Sequence, residues 1–130
     1  MARVDLRELM MRRLMIADSS DVVRKVGKRI LSELGFLVAE AETAPEAISR
    51  CQAELPAILI VDAGMDGALE LIQQVRALPN GDTVRIFYCV IEADLKKMML
   101  GKRAGANDFL LKPFDRKILT SVFAGLALAA

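Results

Sequence analysis

The amino-acid sequence predicts an α/β domain, a doubly wound five-stranded parallel sheet with helices on both faces. Five short apolar runs alternate along the chain with five segments whose apolar residues recur at helical spacing. The runs are apolar at nearly every position, as in parallel strands that are covered on both faces. Strands and helices that alternate in this way form a parallel sheet with right-handed crossovers. The 130 residues, 54% of them hydrophobic, can supply the core of one such domain.

The five predicted strands are the apolar runs, which cover residues 14–17, 36–39, 58–61, 86–90 and 109–111. None of them approaches the roughly 18 apolar residues that are needed to cross a bilayer. Charged residues also interrupt residues 1–10, where a signal peptide would be apolar. We therefore expect a cytoplasmic protein that does not enter the membrane.

Five predicted helices follow the strands in turn. The first has apolar residues at intervals of three and four, and Gly35 after it is typical of a C-terminal cap. The second begins at the capping-box residues Thr43 and Glu46 and ends near Glu54. The other three cover 69–78, 95–102 and, after a cap at Asp115, 118–126. The residues expected to be buried on the first helix are Val22, Val23, Val26, Ile30, Leu31 and Leu34.

The composition excludes several classes of function. Eighteen Lys and Arg against seventeen Asp and Glu leave a net charge of +1, so no broad basic face for nucleic acid is expected. The sequence contains no histidine, which excludes a Ser-His-Asp triad, a histidine-ligated metal and a phosphohistidine carrier. Cys51 and Cys89 match no zinc or redox spacing and are interpreted as buried thiols in a reducing compartment.

Charged residues stand directly after three of the predicted strands, namely Asp18, Asp62 and Lys112. Ligands of an open parallel sheet bind beyond the carboxyl ends of its strands, so these side chains are expected to meet at one edge. Two carboxylates together favour Mg²⁺, and a lysine opposite them suits a phosphoryl oxygen. Each residue alone is as typical of a helix cap or a solvated charge. The three together predict a carboxylate that accepts a phosphoryl group with metal assistance.

The chain resembles the receiver domains of bacterial two-component response regulators, particularly the stand-alone chemotaxis type, over roughly residues 13–124. The resemblance lies in Leu-Met-Ile-Ala-Asp at 14–18, Glu-Leu-Gly-Phe at 33–36, Ile-Val-Asp at 60–62, Ala-Gly-Ala-Asn-Asp-Phe at 104–109 and Lys-Pro-Phe at 112–114. It implies a flavodoxin-like (βα)5 fold with strand order 2-1-3-4-5. It further implies a signalling receiver and not an enzyme, with residues 13–130 as the receiver domain and residues 1–12 as an N-terminal extension.

The same resemblance implies a role for each residue of the predicted site. Asp62 is the phosphoacceptor for a histidine kinase or phosphotransfer protein, and Lys112 pairs with the phosphoryl oxygens. Asp18, Asp62 and the backbone carbonyl of Gly64 hold Mg²⁺. A downstream protein binds the face formed by the fourth helix, the fifth strand and the fifth helix. The bond between Lys112 and Pro113 looks like the cis peptide of the family.

The chain departs from the family pattern at three places, which are the acid pair after the first strand, Val90 and the loop 62–67. The family usually has two consecutive acids after the first strand. Aligned without gaps, the pair falls on Asp18 and Ser19, and shifted by one residue it falls on Ala17 and Asp18, so one acid is missing in either alignment. The hydroxyl of Ser19 is expected to be a weak ligand, and the Mg²⁺ affinity is expected to fall. Val90 stands at the switch position of a Thr or Ser and has no hydroxyl for the phosphoryl group. Phe109 occupies the aromatic switch position but is equally typical of a core residue. The loop 62–67 is short and lacks proline, and Asp66 in it is expected to cap the third helix.

Three functions stay open on this basis. The first is a phosphoryl-accepting receiver, and the second is a degenerate pseudo-receiver that binds proteins without phosphorylation. The third is a nucleotide sensor at Arg24, Lys25, Lys28 and Arg29, a run more typical of the solvated face of a helix. No charged residue follows Lys117, which favours burial of the last helix either in the core or in a homodimer.

Overall fold

Five parallel strands form a single sheet in the computed structural model, which describes residues 3–128 of the chain. They are β1 (Arg13–Ala17), β2 (Leu37–Ala41), β3 (Ile58–Asp62), β4 (Arg85–Val90) and β5 (Asp108–Leu111). Their order across the sheet is β2-β1-β3-β4-β5, and every neighbouring pair is parallel. The predicted fold class and strand order are confirmed.

Six α-helices accompany the sheet in the described part of the chain. They are α1 (Leu6–Met10), α2 (Asp21–Glu33), α3 (Ala44–Ala53), α4 (Ala68–Ala77), α5 (Leu95–Ala104) and α6 (Arg116–Phe123). Helices α2 to α6 are the five that the sequence predicts, whereas α1 lies in the N-terminal extension. Within residues 3–128, no helix combines the length and the apolar content that a membrane crossing requires.

Helix ends follow the sequence signals at three places. The hydroxyl of Thr43 accepts a hydrogen bond from the N–H of Glu46 at 3.2 Å, which caps α3. The carboxylate of Asp115 accepts one from the N–H of Ile118 at 2.9 Å and caps α6. Gly35 follows α2 with φ of 104°, in the left-handed region that favours glycine. These three predictions are confirmed.

Asp66 does not cap α4, so that prediction is wrong. The N-cap position belongs to Gly67, at φ of 78°, and no side chain caps the first turn. The loop from Asp62 is so short that the chain reaches the helix through the left-handed region, which glycine adopts at little cost. Asp66 is left one position upstream and exposed.

Apolar side chains cover both faces of the sheet, because successive residues of a strand point to opposite faces. One layer lies under α3, α4 and α5 and is built on Leu59, Val61, Ile86 and Tyr88 of the strands. The other layer lies under α2 and α6 and is built on Leu14, Ile16, Ile60 and Phe87. The layers leave the carboxyl ends of β1, β3 and β5 uncovered, and the charged residues lie there.

The buried stripe of α2 differs from the predicted one. Val22 and Val26 are exposed, whereas Arg24, Gly27, Ile30 and Leu31 are buried. A Cβ atom at Gly27 would lie 3.0 Å from Cδ1 of Ile16, so this face of the helix packs closely on the sheet. With Arg24, Gly27 and Leu31 on the buried face, Val22 and Val26 face outward.

The C-terminal segment is held by the N-terminal one. The N–H of Arg12 donates to the carbonyl of Ala127 at 3.0 Å, and Met11 pairs with Leu128 in an antiparallel bridge. Phe123 and Ala127 are buried in the layer under α2 and α6. The side chains of Phe123 and Ala127 are therefore covered by the core of the same chain, whereas Leu128 is 64% exposed.

Arg76, in the last turn of α4, joins two loops at the amino ends of the strands, the one before β4 and the one before β5. Its guanidinium donates to the carbonyl oxygens of Gly81 at 2.7 Å, Val84 at 2.6 Å and Gly105 at 2.7 Å. It also donates at 2.7 Å to the side chain of Asn107, which in turn accepts the N–H of Ile86. One side chain thus satisfies the backbone on either side of β4.

Replacement of Arg76 by alanine is expected to lower the free energy of unfolding by about 3 kcal/mol, because three backbone carbonyls lose a charged donor. Arg50→Ala is the matched control, since Arg50 lies in the last turn of α3 and makes one exposed ion pair with Glu46. That control should lose at most ~0.5 kcal/mol. Urea unfolding measures both values, and equal losses would contradict the role of Arg76.

Candidate functional site

The carboxyl edge of the sheet brings Asp18, Asp62 and Lys112 into contact. Asp18 and Asp62 follow residues that pair between β1 and β3, Ala17 with Val61. The ammonium group of Lys112 donates to Oδ2 of Asp18 and lies 3.2 Å from Oδ1 of Asp62. Their side chains are 4%, 14% and 15% exposed, for Asp18, Asp62 and Lys112 respectively. The three charged residues that the sequence places at strand ends therefore form one largely buried cluster.

Every polar atom of Asp18 has a partner. Its N–H donates to the carbonyl of Ala41 at 3.1 Å, and its Oδ1 accepts the N–H of Ser20 at 2.9 Å. Its Oδ2 accepts from Lys112, and its backbone carbonyl accepts from Nη1 of Arg24 at 2.6 Å. Four contacts from different parts of the fold leave this carboxylate little freedom.

The charge of Lys112 depends on these carboxylates. Burial disfavours the ammonium form, but the hydrogen bond to Asp18 and the negative charges of Asp18 and Asp62 raise its pKa above the ordinary value. Lys112 is therefore protonated at neutral pH. The formal charges of two carboxylates and one ammonium leave the cluster with a single negative charge.

The loop after Asp62 is more open than the loop after Asp18. Gly64 is exposed, and its N–H donates to Oδ1 of Asp62 at 3.3 Å. Ser19, Gly64 and Asp66 line one cleft of about 430 Å³ next to the cluster. Ser19 is itself exposed. The short loop thus leaves space on this side of Asp62.

The donor set around Asp62 consists of oxygen atoms, which Mg²⁺ prefers. Asp18 and Asp62 supply two carboxylates, the loop supplies the carbonyl of Gly64, and Ser19 has only a hydroxyl to offer. Within the described residues, no three acidic or thiol side chains lie close enough together to hold a metal ion. The residues present fit Mg²⁺, although they supply two carboxylates, one fewer than the family pattern.

The two switch positions are apolar and packed. Val90 is buried at the end of β4 in the layer under α3, α4 and α5, and Phe109 packs against the same layer from β5. Tyr88, which sequence reasoning missed, pairs with Phe109 across β4 and β5. A Cβ atom at Gly101 of α5 would lie 2.5 Å from the ring of Tyr88. The ring of Tyr88 thus lies directly beneath α5.

The charge of Asp62 also affects the pKa of Tyr88. Burial, and then the negative charges of Asp62 and Glu70, raise the pKa of its phenol. A signal for this residue was present in the sequence, because Tyr88 lies two positions before Val90 and so faces the same side of β4.

Arg24 is not part of the solvated charge run that the sequence predicts for α2. It is 6% exposed, whereas Lys25, Lys28 and Arg29 are exposed. Arg24 shares the buried stripe of α2 with Gly27 and Leu31, three and seven positions further on. That spacing is the signal that distinguishes it from its neighbours. The burial of Arg24 removes one cation from the surface on which a nucleotide sensor would depend.

An apolar cleft of about 330 Å³ opens beside the cluster, between α2 and the segment after β5. Its lining includes Val22, Val26, Ile91 and Phe114, with Lys112 at one side. Val22 and Ile91 are 72% and 80% exposed. The cluster of Asp18, Asp62 and Lys112 therefore has an apolar border that faces solvent.

Comparisons with known proteins agree with this architecture. A 14.6 kDa uncharacterized protein of Leptolyngbya boryana is 34% identical over 105 residues, 78% of this chain and 79% of that protein. The chemotaxis protein CheY1 of Helicobacter pylori J99 is 31% identical over 111 residues, 82% of this chain and 90% of that protein. The solved structure of the chemotaxis response regulator CheY4 of Vibrio cholerae has a TM-score of 0.82 and 25% identity, covering 86% and 95%.

The family comparison covers most of the chain. Residues 14–124 match the model of the response regulator receiver domain, a range that contains Asp18, Asp62 and Lys112. Receiver domains bind Mg²⁺ at an acidic phosphorylation site and interact with histidine kinases or phosphotransfer proteins. The chain belongs to the response regulator receiver domain family of two-component signalling.

Proposed function

We propose that this receiver accepts a phosphoryl group on Asp62 and passes the signal on by protein contact. The observation that carries the proposal is the position of the Lys112 ammonium, bonded to Asp18 and 3.2 Å from Asp62. An acceptor carboxylate needs a nearby cation that can take up the added negative charge, and Lys112 is that cation.

The proposed step is a phosphoryl transfer from a phosphohistidine of a kinase or phosphotransfer protein. A carboxylate oxygen of Asp62 forms a bond to phosphorus, and the bond from phosphorus to the donor's ring nitrogen breaks. The nitrogen keeps the electron pair, and Lys112 pairs with the phosphoryl oxygens. Because Asp62 is consumed until the acyl phosphate is hydrolysed, the chain acts as a signalling receiver and not as an enzyme for other substrates.

Mg²⁺ belongs to the proposed site. The carboxylates of Asp18 and Asp62 and the carbonyl of Gly64 would hold it, with Ser19 as a weak ligand. When bound, the ion supplies positive charge for the oxygens of the transferred group. Loss of one acid at Ser19 lowers the negative charge that attracts the ion, so we expect weak binding.

The phosphodonor is proposed to dock on the apolar cleft between α2 and the segment after β5. Exposed Val22, Val26 and Ile91 give an apolar border directly beside Lys112. A donor that covers this border would bring its phosphohistidine to Asp62 and exclude water from the site.

The output surface is proposed to be the face of α5, β5 and α6, the one that the family resemblance implies. Leu95, Met99 and Leu111 are exposed there. The exposed charges of α5 after its cap are all positive, at Lys96, Lys97, Lys102 and Arg103. Apolar side chains among positive charges suit a partner with an acidic, amphipathic surface. Because Val90 has no hydroxyl, this face would respond through packing at Phe109.

We further propose that residues 13–130 form the receiver domain, with residues 1–12 as an extension, and that the chain functions in the cytoplasm. The free thiols of Cys51 and Cys89, both buried, suit a reducing compartment. The alternative, a pseudo-receiver that needs no phosphorylation, is less well supported, since the acceptor, the lysine and one metal-binding acid are all in contact.

Wild-type protein with acetyl phosphate and Mg²⁺ is expected to gain the mass of one phosphoryl group, and Asp62→Asn is expected to gain none. Asp66→Asn is the matched control, because Asp66 is an exposed acid of the same loop, and it should be phosphorylated like the wild type. Intact-mass spectrometry reads all three. An unmodified wild type, or equal labelling of Asp62→Asn, would favour the pseudo-receiver.

Substitution of Ser19 by Asp is expected to strengthen Mg²⁺ binding about tenfold, because it adds a third carboxylate to the oxygen ligands. Ser49→Asp on the exposed side of α3 adds the same charge away from the site and should leave the affinity unchanged. Calorimetric titration with Mg²⁺ measures the affinities. An unchanged affinity in Ser19→Asp would show that Ser19 is not at the metal-binding position.

A further inference from the structure

We propose that Arg24 is a positioning residue for phosphoryl transfer, which acts by fixing Asp18 in the geometry that binds Mg²⁺. The inference rests on the proposed function, since it concerns the same acidic site. Arg24 contacts neither Asp62 nor Lys112 in the structure, so its effect passes through the loop between β1 and α2. It would be the residue that compensates for a site with one acid too few.

The burial of Arg24 requires an explanation. Among residues 3–7 and 9–128, Asp18 and Arg24 are the only charged residues that are buried, at 3% and 6% exposure. Removing a guanidinium group from water is costly unless its donors are satisfied by the protein. Burial opposes the charge of Arg24, but its hydrogen bond with Asp21 and the charges of Asp21 and Glu40 keep its pKa raised.

The donors of Arg24 reach three different elements. Nη1 donates to the backbone carbonyl of Asp18 at 2.6 Å, Nη2 donates to the carboxylate of Asp21, and Nε lies 3.3 Å from Oε1 of Glu40. These partners lie after β1, at the start of α2 and in β2. A planar guanidinium can serve all three at once, which a single ammonium group cannot do in the same geometry.

Glu40, a residue of β2, forms an ion pair with Arg24. It pairs with Ile16 between β2 and β1, and the next residue, Ala41, accepts the N–H of Asp18 at 3.1 Å. Its Oε1 has no hydrogen bond and has Nε of Arg24 as its close charged neighbour, while Oε2 accepts from Lys25 at 2.9 Å. Asp18 is thereby tied to β2 twice, through its own N–H and through Arg24.

Because residue 19 is a serine, Mg²⁺ binding depends strongly on the position of Asp18. With a serine there, Asp18 is the one carboxylate that the start of this loop offers to Mg²⁺. A small displacement of a single ligand then costs more of the binding free energy than in a site with a second acid beside it. Residues that orient metal ligands in this way affect affinity although they do not touch the ion.

The test is Mg²⁺ binding by Arg24→Gln, followed by amide chemical shifts of residues 18–20 and 62–64. The dissociation constant is expected to rise about tenfold or more, which is the effect of losing an outer-shell partner. Arg29→Gln is the matched control, since Arg29 lies on the same helix, is exposed and pairs only with Glu33 among the described residues. It should bind Mg²⁺ like the wild type.

Two further variants separate positioning from folding. Arg24→Lys keeps the charge but loses the planar fork, so its affinity should lie between those of the wild type and Arg24→Gln. Glu40→Gln leaves Arg24 in place but removes its anchor, and we expect about a threefold loss or more. Thermal unfolding shows which variants are folded at the titration temperature, and affinities are compared only among those.

The outcomes distinguish the two proposals. Folded Arg24→Gln with the affinity of the wild type overturns the role of Arg24 and leaves the proposed function intact. If Arg24→Gln does not fold, unchanged affinities in both Arg24→Lys and Glu40→Gln overturn it. A wild type that takes up neither Mg²⁺ nor a phosphoryl group removes the proposed function, and the role of Arg24 falls with it.

Discussion

The ammonium group of Lys112 lies between two carboxylates at the carboxyl edge of the sheet, and the rest of the site depends on that contact. Asp18 and Asp62 come from neighbouring strands and would repel each other without a cation between them. Lys112 follows β5, which lies beyond β4 in the sheet. Its backbone N–H donates to the carbonyl of Val90 at 2.8 Å. The pairing of β4 with β5 therefore determines whether the lysine reaches the acids. Partial burial strengthens the attraction, because water screens it less.

The two sides of this cluster differ in freedom. Around Asp18, backbone and side-chain partners from β2, α2 and β5 occupy every polar atom, and the buried Arg24 is one of them. Around Asp62, the loop turns through exposed Gly64 and through Gly67 into α4, beside a cleft. The two carboxylates thus differ in their surroundings, since Asp18 is held by many partners whereas Asp62 is followed by a loop with two glycines and an adjacent cleft.

Packed side chains fill the layer between the end of β4 and α5. Val90 and Phe109 are apolar, and the ring of Tyr88 lies against Gly101 without space for a side chain there. A close-packed layer passes on small displacements, since it has no voids to absorb them. Tyr88 is the polar member of this layer, and its phenol is within the electrostatic influence of Asp62. The layer has Val90 at the position where the family has a Thr or Ser, so no hydroxyl is present there to bond a phosphoryl group directly.

The sequence by itself determined the five strands, the five main helices, the caps at Thr43 and Asp115 and the meeting of Asp18, Asp62 and Lys112. These features follow from local periodicity and from the rule that parallel strands end at one edge, so no long-range information was needed. Three features emerge only from the folded chain: Val22 faces solvent, Arg24 is buried, and Gly67 takes the cap position in place of Asp66. The cap depends on the short loop after Asp62, whereas the orientation of α2 reflects close approach between elements distant in sequence. Gly27 lets α2 settle against Ile16 of β1, and Glu40 of β2 offers the charge that Arg24 needs.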